Sequence, residues 1–441
     1  MNRLVSGWGR SPRVETAWLD AHTAAEAGAA CSSHHGMIAR GNGRAYGDAA
    51  VGTRVTLAMG GLDRMIAFDA ATGLLRAEAG VLLGDIIAAF LPRGWFPFVV
   101  PGTRFVTLGG AIAADVHGKN HHGEGGFGRY VEALVLAMPD GSVKTASRAE
   151  NPVLFHHTIG GMGLTGTLLE ATIRLRPVET GWVRQQTLVA HNLDEALRAL
   201  DAADAATYSV AWIDCLARGP HLGRSLVYRG EHARRAELEG RTPFPALKPP
   251  RLGVPFDLPA LALSRLSVTA FNELYFRMGA RKAGRSFLVP VGPYFFPLDG
   301  VHNWNRIYGR RGFVQHQCVL PPANAGAALA EMLGIITKQG NASFLAVLKK
   351  LGASQGTLSF PLEGYTLALD FPVAPGLEAF LSQLDAVVTR AQGRLYLAKD
   401  SRQSRATFDA GYPAAEGFRA FRRDNGLAPH LSSHLSNRLG L

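Results

Sequence analysis

The stretch GMGLTGTLLEATIRLRP, residues 161–177, decides what kind of fold this chain adopts. Its first six residues match the GxGxxG spacing of a dinucleotide-binding loop. Such a loop needs a strand leading in and a helix leading out, because the helix N-terminus holds the pyrophosphate. Here the order is inverted. NPVLFHHTIG (151–160) has the apolar spacing of a short helix, and TLLEATIRLRP (167–177) alternates as a strand ended by Pro177. A Rossmann-type NAD enzyme is therefore disfavoured. The glycines still let backbone approach a ligand in some other fold.

Outward from this point, short strands and helices mix without a repeating βαβ order. RMIAFDAATGLLRAEAGV (64–81) and VEALVLAMPDGSVKTAS (131–147) are hairpins, turning near Ala71–Gly73 and at Pro139-Asp140-Gly141. LLGDIIAAFLPRG (82–94) has helical spacing and stops at Pro92 and Gly94. After Pro177 the segments 193–205, 325–340 and 376–393 have helical spacing, and 208–219, 313–321 and 365–373 look like strands. The expected class is α+β, and 441 residues are too many for one ordinary core, so two domains are expected. Residues 243–276 are Pro-rich, apolar and basic. They fit a mobile or membrane-facing flap, or a long surface loop.

Composition narrows the function. No apolar run of about 18 residues marks a membrane span. The start, MNRLVSGWGRSPRVETAW, lacks the apolar core of a signal peptide, so a cytoplasmic protein is expected. Cys31, Cys215 and Cys318 are far apart and form no CxxC, which argues against a disulfide framework or a thiolate metal site. The net charge of +11 and pI near 9.8 call for an anionic partner. Lys and Arg are scattered, without the aromatic-interleaved runs of a nucleic-acid groove, so nucleic acid is not expected.

Two further glycine loops follow strands: ARGNGRAYGD (39–48) and PGTRFVTLGGAIAADVHG (101–118). Neither continues into the Gly-Lys-Ser/Thr of a phosphate-binding P-loop. With GMGLTG they suggest one extended ligand wrapped by backbone, or simply tight turns in a small-stranded domain. The second loop runs into HGKNHHG (117–123). Three imidazoles invite a metal reading, but His121 and His122 are adjacent, so their side chains diverge, and no metal is expected.

Taken in order, RGNGRAYGD (40–48), AEAGVLLGDI (77–86), PGTRFVTLGGAIAADVHG and GGMGLTG (160–166) resemble the PCMH-type FAD-binding domain of the vanillyl-alcohol-oxidase superfamily. WGR (8–10), HGKNHH, SVAWID (209–214), WNRIYG (304–309), FVQHQ (313–317), SFLAVLK (343–349) and LYLAKDSR (395–402) are similar to the oxidase-subunit family of decaprenylphosphoryl-β-D-ribose 2′-epimerases. The resemblance spans nearly the whole chain and is weakest between about 230 and 290.

The resemblance implies an FAD domain built from 1–178 and 394–441, with a substrate domain inserted at 179–393. It implies FAD-dependent oxidation of the 2′-hydroxyl of a polyprenylphosphoryl-β-D-ribose to a ketone. A separate short-chain NAD(P)-dependent reductase then completes epimerisation to an arabinose donor for cell-envelope glycans. Peripheral association with the inner membrane is also implied. Lys399, His117 and Tyr46 are the implied catalytic residues. The implied cofactor wall takes Arg40, Gly41, Asn42, Gly43, Arg44, Ala45, Tyr46 and Gly47 from the first loop. It takes Pro101, Gly102, Thr103, Thr107, Gly109, Gly110, Ala113, His117, Gly118 and Asn120 from the second, Gly161, Gly163 and Gly166 from the third, and Tyr396. Substrate contacts fall to Lys119, His121, Trp212, Tyr308, Gln315, Gln317, Lys349 and Lys399. Gln315 and Gln317 also share one face of a strand by alternation.

Two departures carry expectations. Arg44 stands where many members of the superfamily carry a histidine that bonds FAD, so the FAD is expected to be non-covalent. Ala368 stands where mycobacterial members of the oxidase family carry the cysteine that nitroaromatic inhibitors bond, so those inhibitors are expected not to bond this chain. An FAD oxidase of free sugar alcohols or aldonolactones, and a non-catalytic flavoprotein scaffold, are the competing readings.

Overall fold

The alternation of the first 180 residues closes into two sheets. The computed structural model describes residues 1–441 except 251, 260–262 and 342. Thr167–Pro177 is the central strand of a six-stranded sheet: it pairs antiparallel with Leu74–Glu78, Val131–Ala137 and Trp95–Pro97. Its side chains alternate buried and half-buried, with Leu169, Ala171, Ile173 and Leu175 turned into the core. The helix Pro152–Thr158 precedes the 161–166 loop, so the GxGxxG residues run from helix to strand as expected. Beside this sheet lies a four-stranded one in the order Asn2–Ser6, Arg13–Asp20, Val55–Ala58, Met37–Arg40. Its last two strands are parallel, so the first glycine loop must travel the length of a strand to rejoin the sheet. The class is α+β.

An eight-stranded antiparallel sheet makes the second layer, in the order Ser286–Pro290, Trp182–Ala190, Ser225–His232, Tyr208–Ile213, Ala346–Leu351, Gly364–Pro372, Phe313–Leu320, Arg394–Leu395. Phe313–Leu320 is buried on both faces. The helices Pro322–Gln339 and Leu377–Arg390 cover one face, burying Leu329, Leu333, Leu381 and Leu384 completely. Each such leucine stabilises the layer by about 1.5–3 kcal/mol relative to exposure. The other face carries Gln315 and Gln317 toward the first layer. Arg394–Leu395 extends this sheet beyond residue 393, the expected end of the inserted domain.

After Leu395 the chain returns to the first sheets. Leu431 bridges to Met37, and the buried Arg422 donates to the Leu164 carbonyl at 3.1 Å. In the 243–276 stretch, residues 251 and 260–262 lie outside the described residues. Leu252–Gly253 pairs with Val301–His302, and Arg265–Ala280 is a helix capped by Ser264. The sequence did not suggest this helix, because only Val268 and Asn272 along it are buried and its apolar residues spread around the axis. Among the described residues, no helix is long and apolar enough to cross a membrane.

Candidate active site

The three glycine loops face strands of the eight-stranded sheet across a cavity of about 450 Å³. The loops interlock closely. A Cβ on Gly41 would fall 2.1 Å from Thr107 Oγ1, so only glycine lets the first two loops meet. Gly43 turns the first loop with φ of +62°, in the left-handed region. Thr107 Oγ accepts from Gly110 N at 3.1 Å and so caps the helix Leu108–Ala113.

Gly41 to Tyr46 line the cavity, as do Pro101, Gly102, Thr103, Thr107, Gly109, Gly110, Ala113, His117, Gly118, Gly163, Gly166 and Tyr396. Four expected cofactor residues lie behind this wall. Arg40 turns back to the carbonyls of Ser6 and Ala50, at 2.7 and 3.1 Å. Gly47 is pressed against the Asp400 carbonyl, and Gly161 against that of His157. Asn120 is buried, donating to the Phe98 carbonyl at 2.7 Å.

The opposite wall holds Trp212, Gln315, Gln317, Lys349, Ala368 and Lys399, with Lys119 at the side. Two expected substrate residues are absent from it. His121 Nδ1 accepts from Gly352 N at 3.0 Å. Tyr308 stacks on Phe313 and donates to Asp370 Oδ2 at 3.2 Å. His122 points elsewhere, to the Ala206 carbonyl at 2.9 Å, so HGKNHHG does not converge on one point.

Gln317 Nε2 lies 3.1 Å from His117 Nε2. With the amide donating, the imidazole accepts at Nε2 and carries its hydrogen on Nδ1. Burial, helped by Lys349, His121 and Lys399, holds His117 well below its ordinary pKa, so it is neutral. Its Nδ1 is buried and has no partner among the described residues. A donor of this kind awaits an acceptor.

Three lysines share the cavity, and among the described residues none of them forms an ion pair within 4.0 Å. Burial, with Lys349 adding repulsion, pushes Lys119 down to about 7. Burial alone pushes Lys349 down to about 8. Lys399 Nζ sits 3.3 Å from the Tyr46 ring centroid. Burial drives Lys399 down and Asp370 up, and their mutual attraction opposes both shifts. Asp370 is held by Gln315 Nε2, Tyr308 and its own backbone N–H, which donates to Ser343 Oγ at 2.9 Å.

Asp370 was not singled out from the sequence. Its signal was available: one acid inside the buried apolar strand GYTLALDFP is rare unless paired. Asp370 lies behind the cavity wall; Trp8, from the WGR motif, lines the cavity, as do Tyr228, Tyr275 and Asp299, which carried no distinguishing pattern. Ala368 faces the cavity directly opposite Gln317 in the strand register, while Cys215 and Cys318 are fully buried.

The residues fit an FAD. The glycine loops line the cavity with close-lying backbone whose N–H groups would hold a pyrophosphate, and Tyr396, His117 and Tyr46 bound the space for a ring system. Arg44 Cζ lies over Trp8, 4.0 Å from its ring centroid, and its Nε has no partner among the described residues. A guanidinium held there has no chemistry for bonding a flavin.

Comparison with known proteins agrees with this geometry. Residues 20–147 match the FAD binding domain family. The chain is 38% identical to decaprenylphosphoryl-β-D-ribose oxidase of Mycolicibacterium smegmatis, over 100% of this chain and 98% of that protein. It is 36% identical to a Streptomyces coelicolor protein over 82% of this chain and 100% of the other. L-gulonolactone oxidase of Mus musculus is 28% identical over 36% of this chain and 37% of its own.

Proposed function

Because this chain belongs to the decaprenylphosphoryl-β-D-ribose oxidase family, we propose that it oxidises the 2′-hydroxyl of a polyprenylphosphoryl-β-D-ribose to the 2′-keto sugar, with FAD as cofactor. The observation that carries the reading is full-length identity joined to one cavity that sets a flavin wall against three lysines. FAD, when bound, supplies the hydride acceptor. The domain nearer the N-terminus, with the returning chain end, would hold it, and the inserted layer would hold the sugar.

The protein's own groups then have defined tasks. Lys119 and Lys349 neutralise the phosphodiester. Gln315 and Gln317 orient the sugar hydroxyls. His117 donates from Nδ1. Lys399, on the cavity wall, takes the proton leaving the 2′-hydroxyl in its neutral form, and the charge of Asp370 behind the wall favours the ammonium that results. Trp212 and the tyrosines beside it exclude water along the lipid side. The ketone product must be reduced from the other face, which is the task of a short-chain reductase partner. A lipid-linked substrate also places the enzyme at a membrane surface.

The sugar-alcohol and aldonolactone reading is weaker, since the gulonolactone oxidase match covers about a third of either chain. Anaerobic mixing with farnesylphosphoryl-ribose tests the assignment. The visible absorbance of the oxidised flavin should bleach, and flavin that stays oxidised would sink the reading. Arg44 adds a second expectation: acid precipitation should leave the yellow colour in the supernatant.

A further inference from the structure

Of the exposed large apolar side chains among the described residues, seven of twelve fall between Leu252 and Met278. Five of them sit on the helix Arg265–Ala280. That helix is held to the sheet by a narrow stripe. Val268 and Asn272 are buried, Asn272 Nδ2 donates to Asp214 Oδ1 at 2.7 Å, and Gly279 packs against Leu226. Ala270, Leu274 and Met278 follow at i+4 spacing on another face, with Phe271 and Tyr275 beside them. Leu274 is 60% exposed and Met278 52%. A helix of a monomeric protein rarely leaves such an arc uncovered.

The arc joins the active site. Tyr275 is at once exposed and part of the cavity wall, so the cavity reaches the surface at this helix. Its ring lies 4.8 Å from Trp212 and 5.7 Å from Phe271, and its hydroxyl meets that of Tyr228 at 3.1 Å. An apolar path therefore runs from the sugar site, over Trp212 and Tyr275, onto the outer face of the helix.

The charge completes the surface. Residues 218–311 hold 16 Lys and Arg against 6 Asp and Glu, which accounts for nearly all of the net +11. Arg265 opens the helix, and Arg281, Lys282 and Arg285 follow its end. All four are exposed, and among the described residues none forms an ion pair within 4.0 Å. Apolar side chains ringed by cations suit the boundary between acyl chains and anionic headgroups.

We propose that the helix Arg265–Ala280 seats on an anionic bilayer with Phe271, Leu274 and Met278 dipped below the headgroups, so that a polyprenyl tail slides sideways over Tyr275 into the cavity. This rests on the lipid-linked substrate assigned above. The substrate need not leave the membrane: only its headgroup and first isoprene units enter the protein.

The test uses the FAD-loaded full chain and flotation with vesicles of equimolar phosphatidylglycerol and phosphatidylcholine, or of phosphatidylcholine alone. The native protein should float with the anionic vesicles and be released by high salt. The double variant Leu274→Glu, Met278→Glu should lose about tenfold in partitioning, while its FAD content and its turnover of farnesylphosphoryl-ribose in free solution stay native. Equal flotation of variant and native protein, or no flotation of either, overturns the proposal. So does a native dimer that the variant dissociates, because the arc would then be covered by a second copy. Absence of flavin bleaching by farnesylphosphoryl-ribose would instead count against the assigned reaction, whatever the vesicles show.

Discussion

Asp370 and Lys399 show how much chemistry two buried residues concentrate. Each group is pushed by desolvation toward its neutral form while their mutual attraction favours the charged forms, so the two are linked in proton exchange. Asp370→Asn keeps the shape and one acceptor oxygen but removes that exchange. Flavin reduction by substrate should slow by about a hundredfold, with FAD content and melting temperature little changed; a purely structural aspartate would lower those two instead. Lys119 and Lys349 yield a pH expectation. Both have depressed pKa values, to about 7 and about 8, so both are charged only below that range in the free cavity. A phosphodiester favours their charged forms. Substrate affinity should therefore be fullest below about pH 7 and fall as pH rises through 8, measured as KM against pH. The glutamines at 315 and 317 were legible because strand alternation is strict. Asp370 was less so, since its partners arrive from residues 308, 315 and 399, which no local pattern connects.

Single elements were most legible where a turn chemistry announced them. The hairpins at Gly73 and Gly141 and the helix-to-strand order around residues 161–166 follow from local rules. The helix Arg265–Ala280 was hidden for a physical reason: its buried stripe is narrow and its apolar residues mostly face outward, so no single period stands out. The short helix Leu108–Ala113 is a different case, since its cap also props the cavity. Thr107 Oγ both caps Gly110 and fills the space that Gly41 leaves. Thr107→Ala should cost about 1 kcal/mol, read by urea denaturation, and should weaken FAD binding because the first two loops lose their contact.

At the scale of the whole molecule, strand order was the least legible feature. The eight-stranded sheet joins Tyr208–Ile213 to Ala346–Leu351 and Phe313–Leu320 to Arg394–Leu395, pairings separated by many residues and several elements. The same long reach closes the cofactor wall. Tyr46 N donates to the Ala398 carbonyl at 2.9 Å, Gly47 lies against Asp400, and Arg438 bonds both Asp48 and Asp400, at 2.9 and 2.8 Å. The loop nearest the N-terminus is thus latched by residues almost four hundred positions later. A nascent chain emerging from the ribosome would carry its first glycine loop for most of its synthesis with nothing to shut it. A chain truncated before Arg394 should fold its first sheets yet purify colourless, and retained flavin would show that the latch is dispensable. Flavin capture then becomes a late event in the life of each molecule, and a coloured protein is one whose final helices have already docked.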